Sequence, residues 1–72
     1  MIKTSLHFNE EVLTAEQRDS HGFWQEVMVF NGVIDTRFAL SNTDGLYRCT
    51  IERDGVRRVE HFRVRCHQLA KA

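Results

Sequence analysis

Several features common in larger proteins are missing from these 72 residues. There is no proline, no internal repeat and no low-complexity linker, so we expect a single domain spanning residues 1–72. No stretch approaches the roughly 18 apolar residues of a membrane-spanning helix, which predicts no membrane association. The first residues lack the apolar run of a secretory signal, so the two cysteines indicate reduced thiols in the cytoplasm.

Motifs of catalysis and metal binding are missing as well. The chain has no GxSxG, HExxH, P-loop or glycine-rich phosphate turn, so we expect neither enzyme activity nor a cofactor. Cys49, His61, Cys66 and His67 have metal-ligating side chains, but their spacing matches no CxxC or HxxxH pattern, and we predict no metal site. A small enzyme with its site at a dimer interface stays an alternative, because so short a chain has little room for a pocket of its own.

Charge is balanced overall but divided between the two parts of the chain. Ten basic residues equal ten acidic residues, which argues against a general polycation. Residues 1–45 carry three basic and seven acidic side chains, whereas residues 46–72 carry seven basic and three acidic ones. Because a chain of this length buries only a marginal core, these complementary parts favour a homodimer or a protein partner.

The first twenty residues contain a strand pattern followed by a helix signal. Residues 2–8, IKTSLHF, alternate apolar and polar side chains, which predicts a strand with one exposed face. Asn9 can cap a helix whose first turn holds Glu10 and Glu11, so we expect one short helix within residues 10–20.

An Asn-Gly pair predicts a β-hairpin in the middle of the chain. Asn31 and Gly32 suit the two positive-φ positions of a type I′ turn, and they separate the apolar segments FWQEVMVF and VIDTRFAL. Opposite charges facing across the strands support a two-residue loop. That loop gives the cross-strand pairs Phe30–Val33, Val29–Ile34 and Glu26–Arg37.

Two further turns predict two more strands and complete the fold. The SNTDG segment at residues 41–45 would lead into LYRCTIER, and a turn at Asp54-Gly55 would lead into VRRVEHFRVRC. The polar residues 67–72 are expected to fray. The sequence therefore predicts a mainly β fold, either a five-stranded antiparallel meander or a small SH3-like barrel, with one short helix after strand 1.

The register of the last hairpin decides where its arginines point. A four-residue loop over residues 54–57 would pair Cys49 with Phe62 and separate an apolar face from a polar one. A strict two-residue loop is less favourable, because it sets Ile51 opposite Arg58. The apolar face would hold Tyr47, Cys49, Ile51, Phe62, Val64 and Cys66.

The polar face of that hairpin would concentrate positive charge. Arg48 would lie opposite Arg63, and like charges facing across strands need a counter-charge from the same chain, a second copy or a nucleic-acid phosphate. Against nucleic acid, only His61 would lie among the arginines, whereas single-strand binders interleave stacking aromatics. The candidate contacts for phosphate or an acidic partner are Arg48, Arg57, Arg58, Arg63 and Arg65.

The first hairpin is apolar on both predicted faces. Either its first strand is central and covered by the predicted helix, or one face binds another chain. The predicted helix offers little apolar cover, and Trp, Met and Phe are enriched in the cores of interfaces. The candidate interface residues are Trp24, Met28, Phe30 and Val33.

Taken together, these patterns predict a small binding module. The leading hypothesis is protein–protein interaction, either as a homodimer or with a larger partner in the manner of an adaptor or inhibitor. The alternative is a nucleic-acid-binding protein that uses the arginine-rich hairpin.

Overall fold

The computed structural model describes residues 10–72 as an antiparallel sheet with one short helix. The predicted strand at residues 2–8 lies outside the described residues. In chain order the elements are β1 (Glu10–Arg18), β2 (Trp24–Val27), β3 (Val33–Ile34), α1 (Thr36–Ser41), β4 (Gly45–Arg53), β5 (Val56–Arg65) and β6 (Gln68–Lys71).

The strands follow the order β2-β1-β4-β5-β6, and β3 also pairs with β1. The expectation of a mainly β, antiparallel fold with one short helix is confirmed. Strands β4, β5 and β6 form a meander, whereas β1 lies between β2 and β4. The helix, expected after the first strand, instead precedes β4.

Residues 10–18 form a strand, and the prediction of a helix within residues 10–20 is wrong. β1 pairs with β4 on one side and with β2 and β3 on the other. A bulge between Val12 and Thr14 shifts the alternation, so Val12 and Ala15 are both buried although they are three residues apart. Tertiary pairing therefore outweighs the capping signal at Asn9.

The Asn31-Gly32 turn forms as predicted, but the hairpin ends almost at once. The φ angles of Asn31 and Gly32 are 50° and 69°, and Phe30 pairs with Val33. β2 stops at Val27, and both β2 and β3 pair with β1 rather than with each other. The predicted pairs Val29–Ile34 and Glu26–Arg37 are therefore wrong.

Residues 36–41 form α1 where a strand was predicted. Asp35 caps the helix, because its Oδ1 accepts hydrogen bonds from the backbone N–H groups of Arg37 at 2.9 Å and Phe38 at 3.4 Å. The buried Phe38 ring meets Tyr47 edge-on, with 5.0 Å between ring centroids. Arg37 forms an ion pair with Asp35 at 2.9 Å. A helix of six residues is only marginally stable by itself, so the Asp35 cap and the burial of Phe38 stabilise it at this position.

The last hairpin adopts the two-residue loop, and the predicted four-residue loop over residues 54–57 is wrong. Asp54 and Gly55 have φ angles of 53° and 79°, which suit a type I′ turn. Tyr47 consequently pairs with Phe62, and the predicted Cys49–Phe62 pair does not form. The two registers differ by two residues, so most side chains keep their predicted faces.

Two consequences of this register concern individual side chains. Ile51 does lie opposite Arg58, but Val12 of β1 covers Ile51 from the other side, and Ile51 is only 2% exposed. Cys66, which was expected on the apolar face, is exposed beyond the end of β5. The buried side chains of this hairpin are Tyr47, Cys49, Ile51, Phe62 and Val64.

A third tight turn joins β5 to β6, and no turn-forming residue marks it in the sequence. Cys66 and His67 have φ angles of 52° and 61°, in the region that favours glycine, asparagine and aspartate. The Asp44 carboxylate accepts a hydrogen bond from the Cys66 backbone N–H at 3.0 Å. The tail therefore forms β6 with Leu69 buried, and the prediction that it frays is wrong.

The core lies between α1 and one face of the sheet. α1 is the helix of the described residues, so the opposite face of the sheet has no helix packed on it within residues 10–72. Among those residues, no helix has the length and apolar character needed to cross a membrane. The buried core consists of Val12, Ala15, Ile34, Phe38, Ala39, Tyr47, Cys49, Ile51, Phe62, Val64 and Leu69.

Candidate functional site

The connection between β1 and β2 positions the side chain of Trp24. Asp19 Oδ1 accepts hydrogen bonds from the backbone N–H groups of His21 at 2.8 Å and Phe23 at 2.9 Å, and Oδ2 accepts one from Gln25 at 3.1 Å. The hydrogen bond from Phe23, aided by the others, holds the pKa of Asp19 below its ordinary value. An ionised Asp19 therefore fixes the turn that leads into β2.

The half-buried Trp24 indole lies against charged side chains from the neighbouring strands. The Cζ atom of Arg48 is 4.4 Å from the ring centroid, and that of Arg18 is 5.9 Å away. The His61 ring lies 6.1 Å from the indole, centroid to centroid. Glu16 orients Arg48, whose Nε and Nη2 donate hydrogen bonds to Glu16 Oε1 at 3.0 and 2.8 Å. Trp24 thus sits in a positioned cluster of aromatic and cationic groups.

This cluster belongs to the sheet face opposite the core, which we call the basic face. The strand registers place Arg18 and Trp24 opposite each other, and Arg48 opposite both Glu16 and His61. Alternation along each strand extends the same face in both directions. Its charged and aromatic members are Arg18, Trp24, Arg48, Arg57, His61, Arg63 and Arg65, together with Glu16, Glu26 and Glu52. Five arginines against three glutamates make it positive, although the whole chain is formally neutral.

The arginines predicted as phosphate or acidic-partner contacts do not all share this face. Arg48, Arg57, Arg63 and Arg65 lie on it, whereas Arg58 is on the core side of β5 and contacts Glu60 at 3.0 Å. The predicted pairing of Arg48 with Arg63 is wrong, because the two-residue loop sets Arg48 opposite His61.

Two arginines of the face have an acidic partner, whereas Arg18, Arg63 and Arg65 have none among residues 10–72. Arg48 pairs with Glu16 at 2.8 Å, and Arg57 lies 3.6 Å from Glu52. Both Arg63 and Arg65 are exposed, and neither side chain forms an ion pair or hydrogen bond with any residue from 10 to 72. Because Arg18 lies against the Trp24 ring, Arg63 and Arg65 are the two arginines of the face with neither an acidic nor an aromatic partner within residues 10–72, and their guanidinium groups are open to an external anion.

A pocket of about 350 Å³ opens beside these two arginines at the β5–β6 edge. The register explains the hollow, because the short Ala70 lies opposite the long Arg63, and Gln68 lies opposite Arg65. The lining residues are Arg63, Arg65, Cys66, Gln68, Leu69 and Ala70.

Sequence reasoning missed two members of the basic face. Arg18 fell within the predicted helix, and Trp24 was grouped with the apolar interface residues. The pairing of β1 with both β2 and β4 brings them together with Arg48. No local pattern indicates that pairing, because Glu16, Gln17 and Arg18 are all polar and show no alternation of apolar and polar side chains.

The four predicted interface residues lie in different places. Trp24 is on the basic face, Val33 is half-buried in β3, and Phe30 is half-buried at the Asn-Gly turn. Met28 follows the end of β2 and is 75% exposed. They do not form the single strand face that the sequence indicated, and their role in binding stays a prediction.

Exposed apolar side chains do occur along the β2 side of the sheet, which we call the apolar edge. Leu13, Phe23 and Met28 are all more than half exposed there. A crevice of about 280 Å³ lies between the β1 bulge and the residues after β2. Its lining residues are Val12, Leu13, Thr14, Glu26, Val27, Val29 and Gly32.

No protein-family model, curated protein or solved structure significantly matches this chain. Its function is therefore inferred from the surfaces described above. Within residues 10–72, no group of three or more His, Cys, Asp or Glu side chains is arranged to hold a metal ion. Both cysteines are free thiols, and burial raises the pKa of Cys49 to about 12, so this thiol is not a nucleophile at neutral pH.

Proposed function

We propose that the protein is a non-enzymatic binding module whose basic face binds single-stranded nucleic acid. The observation that carries the proposal is the Trp24 ring against Arg48 and beside His61, on a face with further arginines. Single-strand binders combine a basic surface that follows the phosphates with aromatic rings on which bases stack. The sequence predicted only the His61 ring among the arginines. In the structure Trp24 lies there as well and provides a larger ring on which a base can stack.

The residues of the face divide between two tasks. Arg63 and Arg65 have no counter-charge within the described chain and are free to contact phosphates, whereas Arg48 is neutralised by Glu16 and orients Trp24. Two or three phosphate contacts give a slope of log affinity on log salt of about −1.5 to −2 for a single strand. A base stacked on Trp24 contributes about 1–3 kcal/mol.

Fluorescence anisotropy with a labelled single strand of about 12 nucleotides, at about 50 and 200 mM salt, tests this proposal. Trp24→Ala should weaken binding by about 5- to 150-fold, the equivalent of the stacking energy. Phe23→Ala is the matched control, because Phe23 is the adjacent residue, is 67% exposed and lies outside the basic face. Failure of the wild-type protein to bind at low salt, or equal losses in the two variants, would refute the proposal.

A second variant pair addresses the phosphate contacts. Arg63→Gln should weaken binding and reduce the salt slope by about 0.7, because one phosphate contact is lost. Arg53→Gln removes another exposed guanidinium, beside the Asp54-Gly55 turn, and should leave the slope unchanged. Equal slopes in both variants and the wild-type protein would show that Arg63 contacts no phosphate.

The apolar edge favours a second candidate function, which is protein–protein interaction. Met28 is 75% exposed and Phe23 is 67% exposed beside a strand at the edge of the described sheet. Aromatic residues and Met are enriched in interface cores, and edge strands are common sites of association. The partner would be a second copy or a larger protein, with half-buried Phe30 and Val33 contributing nearby. Light scattering should find a dimer that Met28→Ser weakens and Leu40→Ser, on α1, leaves intact.

The free thiols support the further proposal that the protein works in a reducing compartment such as the cytoplasm. Alkylation in a fresh cell extract should find Cys49 and Cys66 reduced. Oxidised Cys66 in that extract would count against this compartment.

A further inference from the structure

We propose that the pocket between β5 and β6 binds a phosphomonoester carried by a nucleotide. The inference rests on the proposed function. If the basic face binds a single strand, this pocket at its edge would bind the phosphate at the end of that strand. The same chemistry is present in a free nucleoside monophosphate, and the experiment below separates the two sources.

The charge of the pocket suits a terminal phosphate better than an internal one. A phosphomonoester carries about −1.5 to −2 charges near pH 7, whereas a phosphodiester carries about −1. Arg63 and Arg65 project from the same face of β5, both line the pocket, and neither has a counter-charge among residues 10–72. Guanidinium groups bind phosphate oxygens through paired, charge-assisted hydrogen bonds. Two such groups therefore match the charge of a single monoester.

The size and lining of the pocket suit the rest of a nucleotide. Its volume of about 350 Å³ lies within the range of small-ligand sites. The half-buried Ala70 provides apolar surface for a sugar or base, and the Gln68 amide can both donate and accept hydrogen bonds. A site for inorganic phosphate alone would need neither the apolar wall nor this volume.

The adjoining turn holds the pocket in shape. Cys66 and His67 both have left-handed backbone conformations without being glycine, which is a strained arrangement. The Asp44 carboxylate stabilises this turn through the Cys66 N–H, and His67 Nδ1 lies 3.3 Å from the Ala39 carbonyl oxygen. Arg65 and Gln68 flank the turn directly, so their spacing is set before any ligand binds.

Three strands of identical sequence provide the test: one with a 5′-phosphate, one with a 3′-phosphate and one with hydroxyl groups at both ends. Wild-type protein should bind one of the phosphorylated strands about tenfold more tightly than the hydroxyl-ended strand, which corresponds to one added charge-assisted contact. Arg65→Gln should reduce this advantage to less than about twofold, because it removes one of the two guanidinium groups. Arg53→Gln, outside the pocket, should keep the advantage in full.

The comparison separates this inference from the proposed function. Equal affinity for all three strands would overturn the phosphomonoester site and leave single-strand binding intact. Titration with a nucleoside monophosphate, followed by NMR of the backbone amides, provides an arm that needs no strand. Shifts confined to Gln68, Leu69 and Ala70 in the absence of strand binding would support a free-nucleotide pocket. No shifts, or the same shifts and affinity with inorganic phosphate, would overturn the nucleotide assignment.

Discussion

Replacing Phe38 by alanine should remove a large part of the stability of the fold. The Phe38 ring is fully buried between α1 and the sheet, edge-on to Tyr47. Phe-to-Ala substitutions in cores cost about 3–5 kcal/mol, because the surroundings collapse only partly around the cavity. A chain of 72 residues has about 4–11 kcal/mol of stability in total. The variant should therefore lose between about a quarter and all of its free energy of unfolding.

Leu40→Ala is the control within the same helix. Leu40 is 59% exposed, so its truncation should cost within about 0.5 kcal/mol. The two variants also distinguish a helix from the strand that the sequence predicted. Residues 38 and 40 would lie on the same face of a strand, and their truncations would then have similar costs, whereas in a helix they lie on different faces. In urea unfolding followed by circular dichroism, a loss of 3 kcal/mol lowers the midpoint by about 2 M. Equal midpoint shifts in the two variants would refute the helical placement of residues 36–41.

Other expected outcomes concern individual side chains. Native protein should expose one reactive thiol and unfolded protein two, because Cys66 is exposed while burial raises the pKa of Cys49 to about 12; two fast-reacting thiols in native protein would contradict this. The hydrogen bond from the Arg37 side chain, ahead of those from the backbone, lowers the pKa of Asp35 below its ordinary 3.8. The contribution of Asp35 to stability is therefore complete above about pH 4 and is lost as the pH falls below it. In urea titrations at several pH values, Asp35→Asn should show a smaller fall in the free energy of unfolding below about pH 4 than the wild-type protein. Tyr47→Phe should cost about 1 kcal/mol, because the Tyr47 hydroxyl donates to a backbone carbonyl oxygen; an unchanged Tm would argue against that hydrogen bond.

The candidate site could be predicted from the sequence only where it depends on one hairpin. Alternation along residues 45–65 correctly separates buried Tyr47 and Phe62 from exposed Arg63 and Arg65. The face on which a strand side chain lies follows from the two-residue period of the strand. The two-residue error in the predicted register therefore leaves most side chains on their predicted faces. Trp24 pairs with Arg18 of β1, a segment predicted as a helix, and the pairing of β1 with the distant β4 brings Arg48 to the ring. For that reason the aromatic centre of the basic face was not predicted.

The sequence by itself determined the tight turns at Asn31-Gly32 and Asp54-Gly55, because positive φ angles are an intrinsic preference of those residues. It also determined the mainly β character, through alternation and β-branched content. Only the tertiary structure decided that residues 10–18 are a strand, that residues 36–41 are a helix and that the tail pairs as β6. In each of these segments the local preference is weak or opposed, and the free energy comes from partners distant in sequence: β4 for β1, Tyr47 for Phe38, and Asp44 for the Cys66 turn.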